Sequence, residues 1–259
     1  YAYASLTLVA IYGNYMLIVI GVTMLVNSLL NSVGAGIGNL VAEGDKKRIK
    51  KVFWELTSFR VWLSSVVCFG VYKLGHSFII LWVGEQFVLK QSAFIVLILI
   101  TFISLSRTNE IFLFAYGLFQ DIWAPIAEAI LNLGLSILLG YFFGLTGILL
   151  GVAISLLIIV CGWKPYFLYK SGFRECIWEY VLHWGKYLLL IIISFSVTSA
   201  LSNILLVMDV SSYFSWGIYA LGLLLLYSMI SLFLFISTDA ASRSYAKRFY
   251  TFFTSNRKV

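Results

Sequence analysis

Charged residues are scarce in this sequence, and that scarcity decides its class. Of 259 residues only 11% are charged, whereas 61% are hydrophobic, and the mean hydropathy is +0.97. A soluble domain usually carries roughly 25% charged residues. No soluble core could hide this much apolar surface, so we predict that lipid is the main solvent of the chain.

Residues that build metal and catalytic sites are also few. The chain has two histidines and three cysteines, and Cys68, Cys161 and Cys176 form no CxxC pair. His76 and His183 are expected near opposite membrane faces, where they could not share a metal ion. The sequence has no HExxH, P-loop or GxGxxG motif and no Ser-His-acid spacing. We therefore predict no disulfide, no metal site, no cofactor and no enzymatic activity, although an enzyme using dispersed residues stays an open alternative.

Basic residues occupy alternate gaps between the apolar runs. This is the positive-inside pattern of a multi-pass helical protein, and it predicts a cytoplasmic C-terminus. The formal charge of +7 could suggest nucleic-acid binding. We reject that function because the cations lie beside helix ends, as orientation signals and contacts with anionic lipids do. The three basic gaps lie at residues 46–51, 164–186 and 243–258, whereas the intervening gaps hold only Lys73 and Lys90.

Six or seven apolar runs are long enough to cross a hydrocarbon core of ~30 Å, which needs about 20 helical residues. The fold class predicted is therefore an all-α, polytopic transmembrane bundle. Residues 1–12 are expected to finish an earlier span and turn outside, and residues 171–186 to lie along the inner surface. The spans are predicted at residues 12–41, 52–72, 91–118, 123–143, 148–169, 187–208 and 213–238.

Polar residues deep in the third span are the first candidates for a site. Arg107, Asn109 and Glu110 lie about 16 to 19 residues into it, and Arg107 and Glu110 share a face. Charges inside a bilayer usually face a cavity or a partner. We predict a cation in a central cavity, placed for an anionic substrate. The alternative is that the span ends near Ser106 and these residues are interfacial.

Three further polar residues could line the same cavity. Glu128 and Asn132 are four residues apart on the fourth span, so one helix face presents both. They line the cavity or form hydrogen bonds between helices. Arg60 lies about two turns into the second span, where it lines the cavity or extends to the membrane surface.

Glycines recur at spacings typical of close helix packing. Gly34, Gly36 and Gly38 lie in the first span, Gly147 ends the turn before the fifth span, and Gly151 lies in the fifth. We predict packing contacts at these positions, with bending during transport as the alternative for the first group.

Two stretches resemble a known family. Residues 12–45 read YGNYMLIVIGVTMLVNSLLNSVGAGIGNLVAEGD, and residues 114–155 read FAYGLFQDIWAPIAEAILNLGLSILLGYFFGLTGILLGVAIS. Together they resemble the C-terminal half of Wzx-type polysaccharide flippases. These belong to the multidrug/oligosaccharidyl-lipid/polysaccharide exporter superfamily, with MATE transporters and the lipid II flippase MurJ.

The resemblance implies a MATE/MurJ-like lobe that works by alternating access. Residues 1–259 would form about spans 8–14 of a two-lobe transporter, and the N-terminal lobe of the same protein would be a partner. The chain does not begin with Met, in keeping with that expectation. The resemblance also implies that the protein lies in the cytoplasmic (inner) membrane. Its partners there would be membrane lipids and polysaccharide assembly enzymes.

The implied substrate is an oligosaccharide on undecaprenyl diphosphate, flipped for surface polysaccharide synthesis, lipopolysaccharide O-antigen included. Arg107 and Arg60 would hold the diphosphate, and Glu110 and Glu128 would act as counter-charges or ion-coupling groups. The alternatives are a cation-coupled antiporter of the MATE type and, less favoured, a membrane polysaccharide polymerase or ligase.

Overall fold

A computed structural model describes residues 6–30, 33–205 and 212–255, and within these ranges it contains helices and no strand. A 3₁₀ turn, Glu85–Phe87, lies between the helices that end at Trp82 and begin at Gln91. Two π-helical segments, Leu157–Trp163 and Leu168–Phe173, flank the short helix Lys164–Phe167. The α-helices are α1 (Leu6–Leu30), α2 (Val33–Glu43), α3 (Lys46–Trp82), α4 (Gln91–Leu105), α5 (Asn109–Ala115), α6 (Trp123–Leu156), α7 (Lys164–Phe167), α8 (Trp178–Leu205), α9 (Tyr213–Thr238) and α10 (Ala240–Ser255).

Six helical stretches in the described part of the chain are long and apolar enough to cross a membrane. This confirms the predicted all-α polytopic bundle, and the protein is a multi-pass membrane protein by length and composition of its helices. The six stretches are Leu6–Ser28, Lys46–Trp82, Gln91–Ala115, Trp123–Phe173, Trp178–Leu205 and Tyr213–Thr238.

The longest stretch folds back on itself as a hairpin. The chain reverses at Gly144, whose φ of 56° and ψ of −136° are non-helical. The two arms touch through their backbones, because a Cβ atom added at Gly147 would lie 1.9 Å from the carbonyl oxygen of Leu139. Ser136 Oγ also donates to the carbonyl of Ile148 across the hairpin, at 3.0 Å. We call residues 123–143 the first arm and residues 145–173 the second arm.

One of the predicted spans is broken within the described part of the chain. The third was expected through residues 91–118, but α4 ends at Leu105 and α5 starts only at Asn109. The break falls at Ser106 and Thr108, whose side chains compete for backbone hydrogen bonds. The first span was expected through residues 12–41; α1 and α2 cover parts of it, and residues 31 and 32 lie outside the described part.

At two other places the helix is longer than predicted. The helix of α1 already includes Leu6, so the outer turn expected within residues 1–12 is not formed in the described part. The surface stretch expected at residues 171–186 is mostly the first two turns of α8, which begins at Trp178. Apolar residues continue without a strong helix-breaking signal in both places, so the helix extends. Residues 206–211, which hold the predicted end of the sixth span, lie outside the described part.

Aromatic residues fill the end of the bundle that carries the start of α3, residues 164–178 and α10, which we call the basic end. Phe53 lies 5.1 Å from the ring of Phe112, and Trp54 packs beside Tyr180 at 5.9 Å. At the opposite end, next to the 3₁₀ turn, Tyr15 and Phe94 pack at 5.1 Å. The two aromatic cores hold the helices together at both membrane faces.

One buried carboxylate joins three helices at the basic end. Asp239 ends α9 and caps α10 by accepting from Ser242 N and Oγ at 2.8 and 2.9 Å. It also accepts from Lys186 Nζ of α8 at 2.8 Å. Ser242 in turn contacts Ser58 of α3 by a hydroxyl–hydroxyl hydrogen bond. Burial alone would raise the pKa of Asp239, but the hydrogen bonds from Lys186 and Ser242 outweigh it and hold that pKa below its ordinary value.

The hairpin contact predicts that Gly147→Ala destabilises the protein by about 1–3 kcal/mol, because the new methyl group overlaps backbone atoms that cannot rotate away. Thermal unfolding in detergent measures this. Gly134→Ala is the matched control, because a Cβ there has no neighbour within 4 Å. Equal melting temperatures for the two variants would contradict the close approach.

The capping carboxylate predicts a pH-dependent loss in Asp239→Asn. A depressed native pKa stabilises the fold above the unfolded value of about 3.9 and loses that effect as pH falls through the native value. We expect a loss of about 2 kcal/mol at pH 7. The gap between wild type and variant should close below about pH 4. Melting temperatures across pH measure it, with Glu85→Gln, an exposed acid, as the control, and a constant gap would contradict the assignment.

Candidate functional site

A break in the third membrane-crossing stretch positions a half-buried cation, Arg107. Ser106 and Thr108, 5% and 1% exposed, flank Arg107 between α4 and α5. The 15 residues of α4 rise about 22 Å from the end near the 3₁₀ turn. Arg107 therefore lies in the half of the bundle nearer the basic end. The helix ends where the interfacial alternative placed it, yet α5 continues the chain and Arg107 stays largely covered.

Arg107 faces two carboxylates. Its Nη1 atom lies 3.5 Å from Glu110 Oε1 on α5, and its Nη2 atom lies 3.7 Å from Glu128 Oε1 on the first arm. Its Nε atom is buried and has no hydrogen-bond partner among the described residues. Strong charge-assisted bonds of this kind measure about 2.7–2.9 Å. Arg107 thus faces more negative charge than it carries, and it is not saturated as a hydrogen-bond donor.

These three side chains line a cavity of about 700 Å³ between α5, the first arm and the second arm. Asp121 and Lys164 form an ion pair in its wall at 2.7 Å, with side chains only 9% and 12% exposed. Most of the other lining residues are apolar, so the charged side chains are grouped together on an apolar surface. The further lining residues are Leu113, Phe114, Leu118, Phe119, Ile122, Pro125, Ala129 and Asn132.

Four of the six predicted cavity residues meet here: Arg107, Glu110, Glu128 and Asn132. The side-chain amide of Asn132 lies 3.2 Å from Ser136 Oγ, the hydroxyl that also contacts Ile148, so Asn132 is near the hydrogen bond that joins the two arms.

The other two predicted residues lie beside the cavity. Asn109 donates through Nδ2 to the hydroxyl of Tyr180 at 3.0 Å, which joins α5 to α8. Arg60 donates through Nε to the carbonyl of Leu105 at 3.3 Å and is 8% exposed. It therefore satisfies an open carbonyl at the end of α4, just before the break. Its charge also interacts with Glu110, so Arg60 supports the site although it does not line the cavity.

The ion pair Asp121–Lys164 was not among the predicted site residues. Both lie near the ends of predicted spans and look interfacial in the sequence. Their opposite charges on consecutive spans were the available signal, because the two arms of a short hairpin must lie side by side.

The glycines fall into two groups. Gly147 and Gly151 lie at the contact between the hairpin arms, where a Cβ at Gly151 would be 2.4 Å from Ser136 N. Gly36 and Gly38 of α2 have open space at the Cβ position within the described part of the chain. The surroundings of Gly34, also in α2, lie outside the described side chains.

No group of three or more His, Cys, Asp and Glu side chains suited to a metal ion occurs in the part of the chain that the structure describes. The site is a set of charged and amide groups that can exchange partners, and its chemistry is ion and hydrogen-bond recognition.

Comparison with known proteins adds no relative. No protein-family profile matches the chain, and neither a curated protein nor a solved structure matches it. The resemblance to polysaccharide flippases therefore rests on the residues quoted from the sequence.

The cavity geometry predicts strong coupling between Asp121 and Lys164. Lys164→Met alone should destabilise the protein by about 3 kcal/mol, because it leaves a carboxylate without its cation in a poorly hydrated wall. Adding Asp121→Leu should restore most of the loss. Thermal unfolding of the single and double variants measures the coupling, with exposed Lys90→Met as the control. A double variant less stable than Lys164→Met would contradict the pairing.

Proposed function

We propose that this protein translocates an oligosaccharide linked to undecaprenyl diphosphate across the cytoplasmic membrane by alternating access. The observation that supports this best is Arg107, set at a helix break in a charged cavity inside an apolar bundle. Ionisable residues at such depth usually mark a substrate or ion pathway. Broken helices at binding sites are a recurring feature of transporters.

A diphosphate must lose its water to enter a cavity of this kind. Arg107 can replace that water with planar, charge-assisted hydrogen bonds. Its contacts with Glu110 and Glu128, at 3.5 and 3.7 Å, are long enough to be exchanged for phosphate oxygens. Arg60 adds a second positive charge and fixes the end of α4, so the break keeps its shape while Arg107 changes partners.

Glu110 and Glu128 allow Arg107 to return to its starting state after the substrate leaves. When a phosphate takes Arg107, Glu110 and Glu128 lose their counter-charge, and uptake of a cation or proton by the pair restores the balance. When the phosphate leaves, the carboxylates recapture Arg107. Binding and release of substrate are then linked to binding and release of a small ion at Glu110 and Glu128.

The basic end would face the cytoplasm, following the positive-inside rule. The cavity lies nearer that end. A lipid-linked phosphate would therefore enter it from a position close to the level of the lipid headgroups. The rest of the cavity would come from an N-terminal lobe of the same protein, and polysaccharide assembly enzymes would supply and consume the substrate.

The charge count of the cavity favours one second candidate, a cation-coupled antiporter of the MATE type. Three carboxylates, Asp121, Glu110 and Glu128, face two cations, Arg107 and Lys164. This excess of acid suits a cationic small molecule exchanged for a proton or sodium ion. Against it, Arg107 lies between two of the three acids and repels an organic cation.

Arg107→Ala in the intact protein should abolish surface polysaccharide, because Arg107 is the one arginine among the described residues that line the cavity. The readout is surface polymer per cell, normalised to the amount of protein in the membrane. Arg107→Lys should keep partial function, since it retains charge but loses the planar donor pair. Arg48→Ala is the control, because Arg48 is exposed and pairs only with nearby Glu43 among the described carboxylates. Normal polymer in Arg107→Ala would remove Arg107 from the mechanism.

The antiporter candidate has its own test. Ion-driven efflux of a cationic dye by the intact protein, lost in Glu128→Gln and kept in Glu85→Gln, would favour it over flipping. Absence of dye efflux, together with polymer loss in Arg107→Ala, would favour flipping.

A further inference from the structure

A second pocket lies at the basic end, on the hairpin's second arm and outside the charged cavity. It encloses about 550 Å³ and is lined by Tyr166, Tyr169, Lys170, Arg174 and Glu175, among others. None of these residues lines the cavity around Arg107. The pocket is therefore a separate feature of the fold.

The charge of this pocket is positive. Lys170 and Arg174 have no carboxylate within ion-pair distance in the described part of the chain. The carboxylate of Glu175 is bound by Lys50 of α3. Lys170 Nζ lies 5.5 Å from the centre of the Tyr166 ring, which holds the ammonium group at the pocket wall by a cation–π contact. Two cations thus face a space whose one lining carboxylate, Glu175, is already bound by Lys50.

The backbone around the pocket is unusual. Two π-helical segments, Leu157–Trp163 and Leu168–Phe173, flank α7 here, and π-helices are rare and frequent at functional sites. Arg174 has φ 57° and ψ 46°, the one left-handed non-glycine residue in the described chain. The hydroxyl of Tyr169 is buried without a hydrogen-bond partner among the described residues. The π-helical segments, the left-handed backbone at Arg174 and the unpaired hydroxyl of Tyr169 thus all lie at the wall of this one pocket.

An apolar groove lies next to the basic pocket, between the two arms of the hairpin. It has a volume of about 500 Å³ and lies between Ala127 and Leu131 of the first arm and Ile158 and Trp163 of the second. Tyr166 lines both the groove and the basic pocket. From Tyr166 to Ile158 the second arm rises about 12 Å, at 1.5 Å per residue. A cationic pocket joined to an apolar groove of this length matches a phosphate head with a hydrocarbon chain.

We propose that the hairpin binds one anionic phospholipid, with its phosphate between Lys170 and Arg174 and one acyl chain in the groove beside Ala127. The phosphate chemistry alone would also suit a free phosphate ester from the cytoplasm. The apolar groove favours a phospholipid over a free phosphate ester, because a free ester has no hydrocarbon chain to occupy the groove. This inference does not depend on the transported substrate.

The test uses the full chain, purified in detergent, titrated with phosphatidylglycerol, phosphatidylcholine of the same acyl chains, or glycerol 3-phosphate. Melting temperature and native mass spectrometry report stabilisation and bound lipid. We expect phosphatidylglycerol to raise the melting temperature and remain bound, and the other two compounds to do neither. Glycerol 3-phosphate acting as well as phosphatidylglycerol would overturn the lipid assignment, as would equal binding of both phospholipids.

Variants locate the site. Lys170→Gln with Arg174→Asn should weaken retention of phosphatidylglycerol by about tenfold or more, since each juxtamembrane cation contributes on the order of 1 kcal/mol to binding of anionic lipid. Asn is chosen at position 174 because it tolerates the left-handed conformation. Lys46→Gln with Lys47→Gln removes two exposed charges elsewhere at the same end and should change little.

A second variant, Ala127→Phe, fills the groove without altering charge. It should also displace phosphatidylglycerol, and it keeps the test decisive if the charge variant folds poorly. Retention equal to wild type in Ala127→Phe would overturn the placement of the acyl chain, and retention equal to wild type in the charge variant would overturn the site.

Discussion

Open backbone groups are the constraint on which this structure depends, because lipid supplies no hydrogen bonds to replace those lost at a helix end. Several helix ends are closed by side chains. Arg60 donates to the carbonyl of Leu105 where α4 ends, and Asp239 caps α10 while Lys186 donates to the carbonyl of Thr238 at the end of α9. At the hairpin, Ser136 donates to Ile148 across arms brought together by Gly147 and Gly151. Polar residues at these places therefore replace hydrogen bonds that lipid cannot supply.

The same constraint explains the composition of the cavity. A helix break admits Arg107 into the bundle, and an unpaired cation there would be too costly, so Glu110 and Glu128 accompany it. The resulting group has one cation between two carboxylates, which lie 3.5 and 3.7 Å from the guanidinium. Under the proposed function, stability and transport place the same demand on these residues. Arg107 must always have an anion, and in the proposed cycle that anion alternates between carboxylate and phosphate.

Hydropathy was sufficient to predict the helical, multi-pass class and most of the spans, because the need to bury about 20 apolar residues per crossing acts on every helix. Spacing placed Arg107 with Glu110, and Glu128 with Asn132, since residues three or four apart share a face. It could not place Asn109 against Tyr180 or pair Asp121 with Lys164, because those contacts depend on how separate helices pack. The break after Leu105 entered the sequence analysis only as the alternative, because apolar residues continue beyond it and only the short run from Ser106 to Asn109 marks the change.

Lipid extraction and mass spectrometry from source cells depleted of the intact protein test the central claim most directly. Flipping predicts that a complete, unpolymerised oligosaccharide on polyprenyl diphosphate accumulates while surface polymer is lost, because synthesis on the inner face continues without export. An unchanged lipid-linked pool with intact surface polymer, in cells shown to have no second flippase, would contradict the account.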